Sequence, residues 1–263
     1  MRALLVQAAP TPGDLSANAA RAAEIVRSAP DVDLVLLPEL YLGGYDLEAA
    51  RRHAVAVDDP VLEPLRAAAE QAGTAVLIGM AERLPDGAAA NSLLAIDERG
   101  RTAAVYRKTH LFGGEPGVFE PGDELVVVPL AGRRLGLLIC FDIEFPEPAR
   151  ALAHAGADVL VAAVANMDPY ERDHELASRA RALDNRLPLL YANRVGRESG
   201  LTFVGRTRAV SPDGEVVAQA GRDGEELLTV DVPPMTVGDE LVDYLAQVRD
   251  DLPVSVKSAG GEI

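Results

Sequence analysis

Across 263 residues there is one cysteine, Cys140, no tryptophan, and a deficit of positive charge. A lone thiol excludes an internal disulfide and any zinc site built from several cysteines, and it accords with a reducing cytoplasm. Lysine and arginine total 25 against 41 aspartates and glutamates, a formal net charge of −16. Such a chain repels phosphate, so neither nucleic acid nor an anionic membrane surface is expected as a partner. No apolar stretch approaches the ~20 residues that span a bilayer. The opening Met1-Arg2-Ala3-Leu4-Leu5-Val6-Gln7 turns polar too soon for a secretion signal. Histidine is scarce as well. His110, Asp142 and Asp173-His174 stand at none of the usual ligand spacings, so neither a metal nor a cofactor is expected.

What the chain does have is apolar material, 48% of its residues, enough for a sizeable core. Strand-like runs alternate with helical patterns. Strands are predicted at Ala3–Ala9, Asp33–Leu37, Thr74–Met80, Ser92–Asp97, Thr102–Tyr106, Leu125–Pro129, Leu135–Ile139, Asp158–Val164, Pro188–Asn193 and Glu226–Val232. Two more flank the turn Ser211-Pro212-Asp213-Gly214. Helices are predicted at Ser16–Arg27, Val61–Ala72, Pro146–His154, Glu171–Asn185 and Glu240–Asp250, with a loose tail at Ser258–Ile263. The stretch Thr109–Gly122 has no period and reads as a long loop of the kind that carries function. The class is α/β, with mixed sheets because two adjacent strand pairs form hairpins, and with helices outside the sheets. Nothing divides the chain, so one domain is expected over residues 1–263, with a core at about 2–232 and an extension at 233–263.

Three apolar strands end on a reactive side chain: Glu39 after Leu34–Leu37 and Pro38, Lys108 after Ala104–Arg107, and Cys140 after Leu135–Ile139. In open α/β sheets ligands sit outside the carboxyl ends of strands. If these strands are neighbours, a carboxylate, an ammonium and a thiol converge. The carboxylate takes the thiol proton, since thiolate is the nucleophile. The ammonium and the Phe141 N–H then stabilise an oxyanion. Singly, each residue has a plainer role: a surface acid, a solvated strand end, a buried small hydrophobe.

Pro38-Glu39-Leu40, Tyr106–Phe112 and Cys140–Glu147 resemble, in order and spacing, the three signature blocks of the nitrilase superfamily of carbon–nitrogen hydrolases. Arg179–Asn185, Tyr191–Gly196 and Phe203-Val204-Gly205 resemble later blocks, so the likeness runs from about residue 2 to 232. Two departures stand out. Arg206-Thr207-Arg208 occupies a place where the family often has serine, and Asp184-Asn185 replaces a Glu-Asn pattern. The resemblance implies a four-layer α-β-β-α sandwich, a Glu39-Lys108-Cys140 triad and a second glutamate, Glu115, with Glu120 the nearby alternative. It implies no cofactor and a homodimer or larger assembly. Phe141-Asp142 after the cysteine is similar to the amidase-type branch, so the expected reaction is hydrolysis of a small amide through a thioester; nitrilase or N-carbamoyl-amine hydrolase chemistry on the same triad is the alternative.

Tyr41, Phe112, Glu144, Asn166 and Tyr170 are candidate walls, and Arg194 and Arg206 the candidate anchors for a substrate carboxylate. Two rivals remain, a cysteine–histidine hydrolase using His110, His154 or His174, and a non-catalytic member of the family. His154 sits mid-helix and His174 on a charged helix, and both read as solvated or capping residues.

Overall fold

The computed structural model describes residues 1–232, 244–249 and 251–255. Strand β1 (Arg2–Gln7) leads into α1 (Leu15–Arg27), whose first turn is capped by Asp14 accepting the Ala17 N–H at 2.9 Å. Next come β2 (Leu34–Leu36), α2 (Leu47–Arg52), α3 (Glu63–Ala72), β3 (Ala75–Arg83), β4 (Ala89–Ile96) and β5 (Thr102–Arg107). After the long loop follow β6 (Val127–Leu130), β7 (Arg133–Ile139), α4 (Pro146–His154), β8 (Val159–Val164), α5 (Glu171–Asn185) and β9 (Leu189–Asn193). A hairpin of β10 (Val195–Glu198) and β11 (Leu201–Val204) precedes β12 (Arg208–Val210), β13 (Val216–Gln219) and β14 (Glu226–Asp231).

Two six-stranded sheets result, ordered β14-β1-β2-β3-β4-β5 and β13-β12-β9-β8-β7-β6. Each has a parallel centre, β1-β2-β3 or β7-β8-β9, flanked by antiparallel strands. The period-2 alternation of strand side chains decides how they stack. Leu5, Leu36, Leu77 and Leu93 of the first sheet share one buried cluster with Leu135, Leu137 and Ile139 of the second. Residues of the opposite parity, Val6, Val35, Val76 and Ile78, face the alanine-rich sides of α1 and α3. Helices α4 and α5 join the cluster of the second sheet through Leu152, Ala177 and Ala182. The order is therefore helix, sheet, sheet, helix, an α-β-β-α sandwich.

Two elements lie where the sequence pattern predicts none: α2 and the β10-β11 hairpin, both too short to show a period. The predicted helix Glu240–Asp250 is corrected in its described part, where residues 244–249 hold only a single 3-10 turn, Leu245–Gln247, with no buried residue. The remainder of that segment, and the tail Ser258–Ile263, lie outside the described residues. Among the described residues no helix is long and apolar enough to cross a membrane.

Candidate active site

The parallel strands of both sheets deliver their carboxyl ends to one place. Beyond β2, Glu39 donates its N–H to the carbonyl of Val164 at the end of β8, 3.3 Å away, which ties the first sheet to the second. Gly79 of β3 lies directly beneath: a Cβ there would stand 2.4 Å from the Pro38 carbonyl oxygen and 2.6 Å from the Glu39 Cα. Lys108 follows β5 and is pinned by its own N–H to the Asn91 carbonyl at 2.8 Å and by the Gly122 N–H to its carbonyl at 2.9 Å.

Cys140 follows β7 and opens the 3-10 turn Cys140–Glu144 with φ of 44°, a left-handed conformation that costs roughly 1–3 kcal/mol outside glycine. Asp142 holds that elbow in place. Its carboxylate accepts the Ile139 N–H at 2.9 Å, the Tyr106 hydroxyl at 2.7 Å, and the Thr109 hydroxyl and His110 N–H at 3.0 Å. One buried side chain thus clamps the cysteine turn to the loop that follows Lys108.

Glu39, Lys108 and Glu115 are all fully buried. The Lys108 ammonium lies 2.7 Å from Glu39 Oε1 and 2.9 Å from Glu115. Asn91 donates to Glu39 Oε1 at 2.7 Å, the Tyr45 hydroxyl to Glu115 Oε1 at 2.8 Å and the Phe112 N–H to Glu115 Oε2 at 2.9 Å. Burial without such partners would be prohibitive for charged groups. Glu39 Oε2 is the exception, a buried acceptor without a partner among the described residues.

Burial raises the Glu39 carboxyl above the usual range, against the pull of Lys108, and Glu115 pushes the same way. Burial also raises the Cys140 thiol, with Glu39 adding to it and Lys108 opposing. On Lys108 burial works downward, yet the two glutamates hold the ammonium above the ordinary lysine value. The resting site is therefore a neutral thiol beside a carboxylate more basic than a solvated one, with a fixed ammonium between the acids. These are the features of a proton acceptor, a nucleophile and an electrostatic stabiliser.

Cys140 opens onto a narrow cavity. Of the wall residues expected from sequence, Phe112, Glu144, Asn166 and Tyr170 line it, as does Phe141. Tyr41 does not, which corrects that expectation: it is packed in the core facing α1, its hydroxyl pushed up to about 12 by burial. Glu115 meets Lys108 whereas Glu120 is exposed. Arg194 is buried against Glu198 and Arg206 pairs with Glu171, so neither lines the cavity.

His174 reverses its expected place. It is buried, lines the cavity, and its Nε2 lies 3.2 Å from Glu144 Oε1 and its Nδ1 3.1 Å from the Tyr191 hydroxyl. With both ring nitrogens engaged, it makes no hydrogen bond to Cys140. His154 is exposed on α4, and His110 is held by Asp142 and stacked on Phe145. The sequence alone assigns no site role to Asn91, Tyr45 or Asp142. A polar signal existed for Asn91, an amide inside the apolar run Ala89–Ile96, but none for Tyr45.

The family profile described as carbon-nitrogen hydrolase matches residues 2–239. A protein of Pseudomonas protegens, "hydrolase in pqqF 5'region", is 41% identical over 257 residues, covering 96% of this chain and 90% of its own. An (R)-stereoselective amidase from Pseudomonas sp is 39% identical over 254 residues, covering 95% and 92%. A solved double mutant of the amidase from Nesterenkonia sp. AN1, in complex with acrylamide, superposes with a TM-score of 0.85 at 30% identity, over 95% of this chain and 94% of that one. Another mutant of that amidase carries the acetamide moiety of fluoroacetamide, covalently added at its active-site cysteine. With matches along nearly its whole length in both sequence and fold, this chain belongs to the carbon-nitrogen hydrolases.

Proposed function

We propose that the protein hydrolyses the C–N bond of a small amide to a carboxylic acid and ammonia through a thioester on Cys140. The observation that carries this is the ammonium of Lys108 fixed within 2.9 Å of two buried carboxylates, beside a cysteine held at a strained elbow on a small cavity. Glu39 Oε2, the unpartnered oxygen, takes the Cys140 proton as sulfur attacks the amide carbon. Lys108 and the Phe141 N–H hold the oxyanion. As the C–N bond breaks, the proton held by Glu39 passes to the departing nitrogen and ammonia leaves. Glu39 then deprotonates a water, which attacks the thioester; the acid departs and the proton returns to sulfur. Glu115, held by Tyr45 and the Phe112 N–H, keeps Lys108 aimed and orients the amide.

Amides are favoured over nitriles and carbamoyl amines by the company the chain keeps, an (R)-stereoselective amidase and an amidase solved with acrylamide. A reducing compartment such as the cytoplasm keeps Cys140 a thiol. A homodimer is the proposed assembly, supported by Leu176 and Leu183, apolar side chains left 53% and 36% exposed on α5. The test of the reaction is ammonia release from small amides, nitriles and carbamoyl amines in parallel. Consumption of amides is expected; consumption of nitriles alone would contradict the reading.

A further inference from the structure

The cavity beside Cys140 is charged in one sense only. Its lining holds one carboxylate, Glu144, and one imidazole, His174, beside the Cys140 thiol, the Tyr170 phenol and the amide of Asn166; the rest is apolar. Among the described residues no lysine or arginine lines it. Arg181, close behind, is engaged by the carbonyls of Ile143 and Glu144 and by Asp184. Arg208 is stacked on Tyr191, its guanidinium 4.8 Å from the ring centre. Lys108 is closed between Glu39 and Glu115.

His174 fixes one carboxylate oxygen of Glu144. The Glu144 carboxylate can only accept, so the neutral imidazole carries its proton on Nε2, donates it to Glu144 Oε1 and accepts at Nδ1 from the Tyr191 hydroxyl. Burial holds the ring below the usual histidine value, against the pull of Glu144. The second carboxylate oxygen, Oε2, has no partner among the described residues, and the side chain is 27% exposed. An unpaired carboxylate in a narrow apolar cavity is costly to cover with a neutral chain and costlier with an anion, whereas a cation relieves it.

We propose that Glu144, positioned by His174, selects amides whose acyl chain carries a protonated amine and rejects those whose acyl chain ends in a carboxylate, an inference that rests on the amide-hydrolase reading of Cys140. The test compares kcat/KM near neutral pH for three amides of similar size: 3-aminopropanamide, butyramide and malonamate. The wild-type enzyme is expected to favour 3-aminopropanamide over butyramide by about tenfold or more, and to disfavour malonamate by a similar factor. In Glu144→Gln the first ratio is expected to collapse toward one, mainly through KM. His174→Gln, which still offers a donor to Oε1, is expected to retain more of the preference than His174→Phe.

A wild-type ratio within twofold of one, or a ratio unmoved by Glu144→Gln, overturns the selection while leaving the amidase reading intact. A wild-type enzyme that consumes none of the three, nor any other small amide, overturns both. The wild-type comparison needs no variant, so a Glu144→Gln protein that fails to fold does not blunt it.

Discussion

At the residue scale the site depends on Lys108, whose ammonium lies within 2.9 Å of two buried carboxylates and which, in the proposed reaction, holds the oxyanion. Lys108→Ala removes an oxyanion donor, so kcat is expected to fall on the order of 10³-fold. It also leaves Glu39 and Glu115 buried without their cation, at a cost of about 3–5 kcal/mol in stability. Steady-state rates and thermal melts of the variant check both, and His154→Ala, on an exposed α4 position, serves as the control that retains activity. A variant that keeps its rate would point back to cysteine–histidine chemistry. Glu39 adds a pH signature. Its carboxyl is raised, mainly by burial, and it must be ionised to accept the thiol proton, so activity rises with pH as it deprotonates. The acid limb of the kcat/KM profile is therefore expected above the ordinary glutamate value of about 4.3. An acid limb at or below that value would remove Glu39 from the role of base.

At the element scale, strand ends are aimed by what lies beneath them. Gly79 lets β3 pass under Glu39, and Gly79→Ala places a Cβ against backbone atoms of Pro38, Glu39 and Leu40 that have nowhere to go. The expected result is a loss of about 1–3 kcal/mol in thermal or urea unfolding together with a reduced kcat, because the displaced segment carries the base. A stable, fully active variant would show that Glu39 does not need its observed position. Much of this level was legible beforehand. The carboxyl ends of the apolar runs before Glu39, Lys108 and Cys140 marked the site, and the helices Pro146–His154 and Glu171–Asn185 appear with the bounds their periodicity set. The failures have physical reasons. The strand ending near Asp97 starts at Ala89 rather than Ser92, which brings Asn91 onto Glu39. Tyr41, two residues beyond Glu39, points into the helix-facing core because the turn at Leu40 has positive φ. His174 sits on a helix rich in charge, yet the helix turns this face to Tyr191 and Glu144. Which face of a short or highly charged helix is buried depends on tertiary packing that a single sequence does not display.

At the scale of the whole molecule, stability is linked to pH through His174. Its folded value is depressed by burial, so the unfolded chain binds the extra proton first, and stability is present above the ordinary histidine value and lost as pH falls below about 6.5. Each pH unit below that point is expected to remove up to about 1.4 kcal/mol. Urea unfolding from pH 7 to 5 should show the slope in the wild type and a shallower one in His174→Phe; equal slopes would contradict it. The exposed leucines of α5 bear on assembly. Light scattering at micromolar concentration is expected to give a dimer or larger, and a monomer would contradict the proposed interface.

The measurement that bears most directly on the central claim is ammonia release from butyramide by the wild-type protein and by Cys140→Ala, with acid-quenched intact mass recorded during turnover. Release by the wild type alone, with any captured acyl group mapping to the Cys140 peptide, is the expected result. Equal release by the two proteins would contradict a thioester at Cys140, and with it the mechanism proposed for this site.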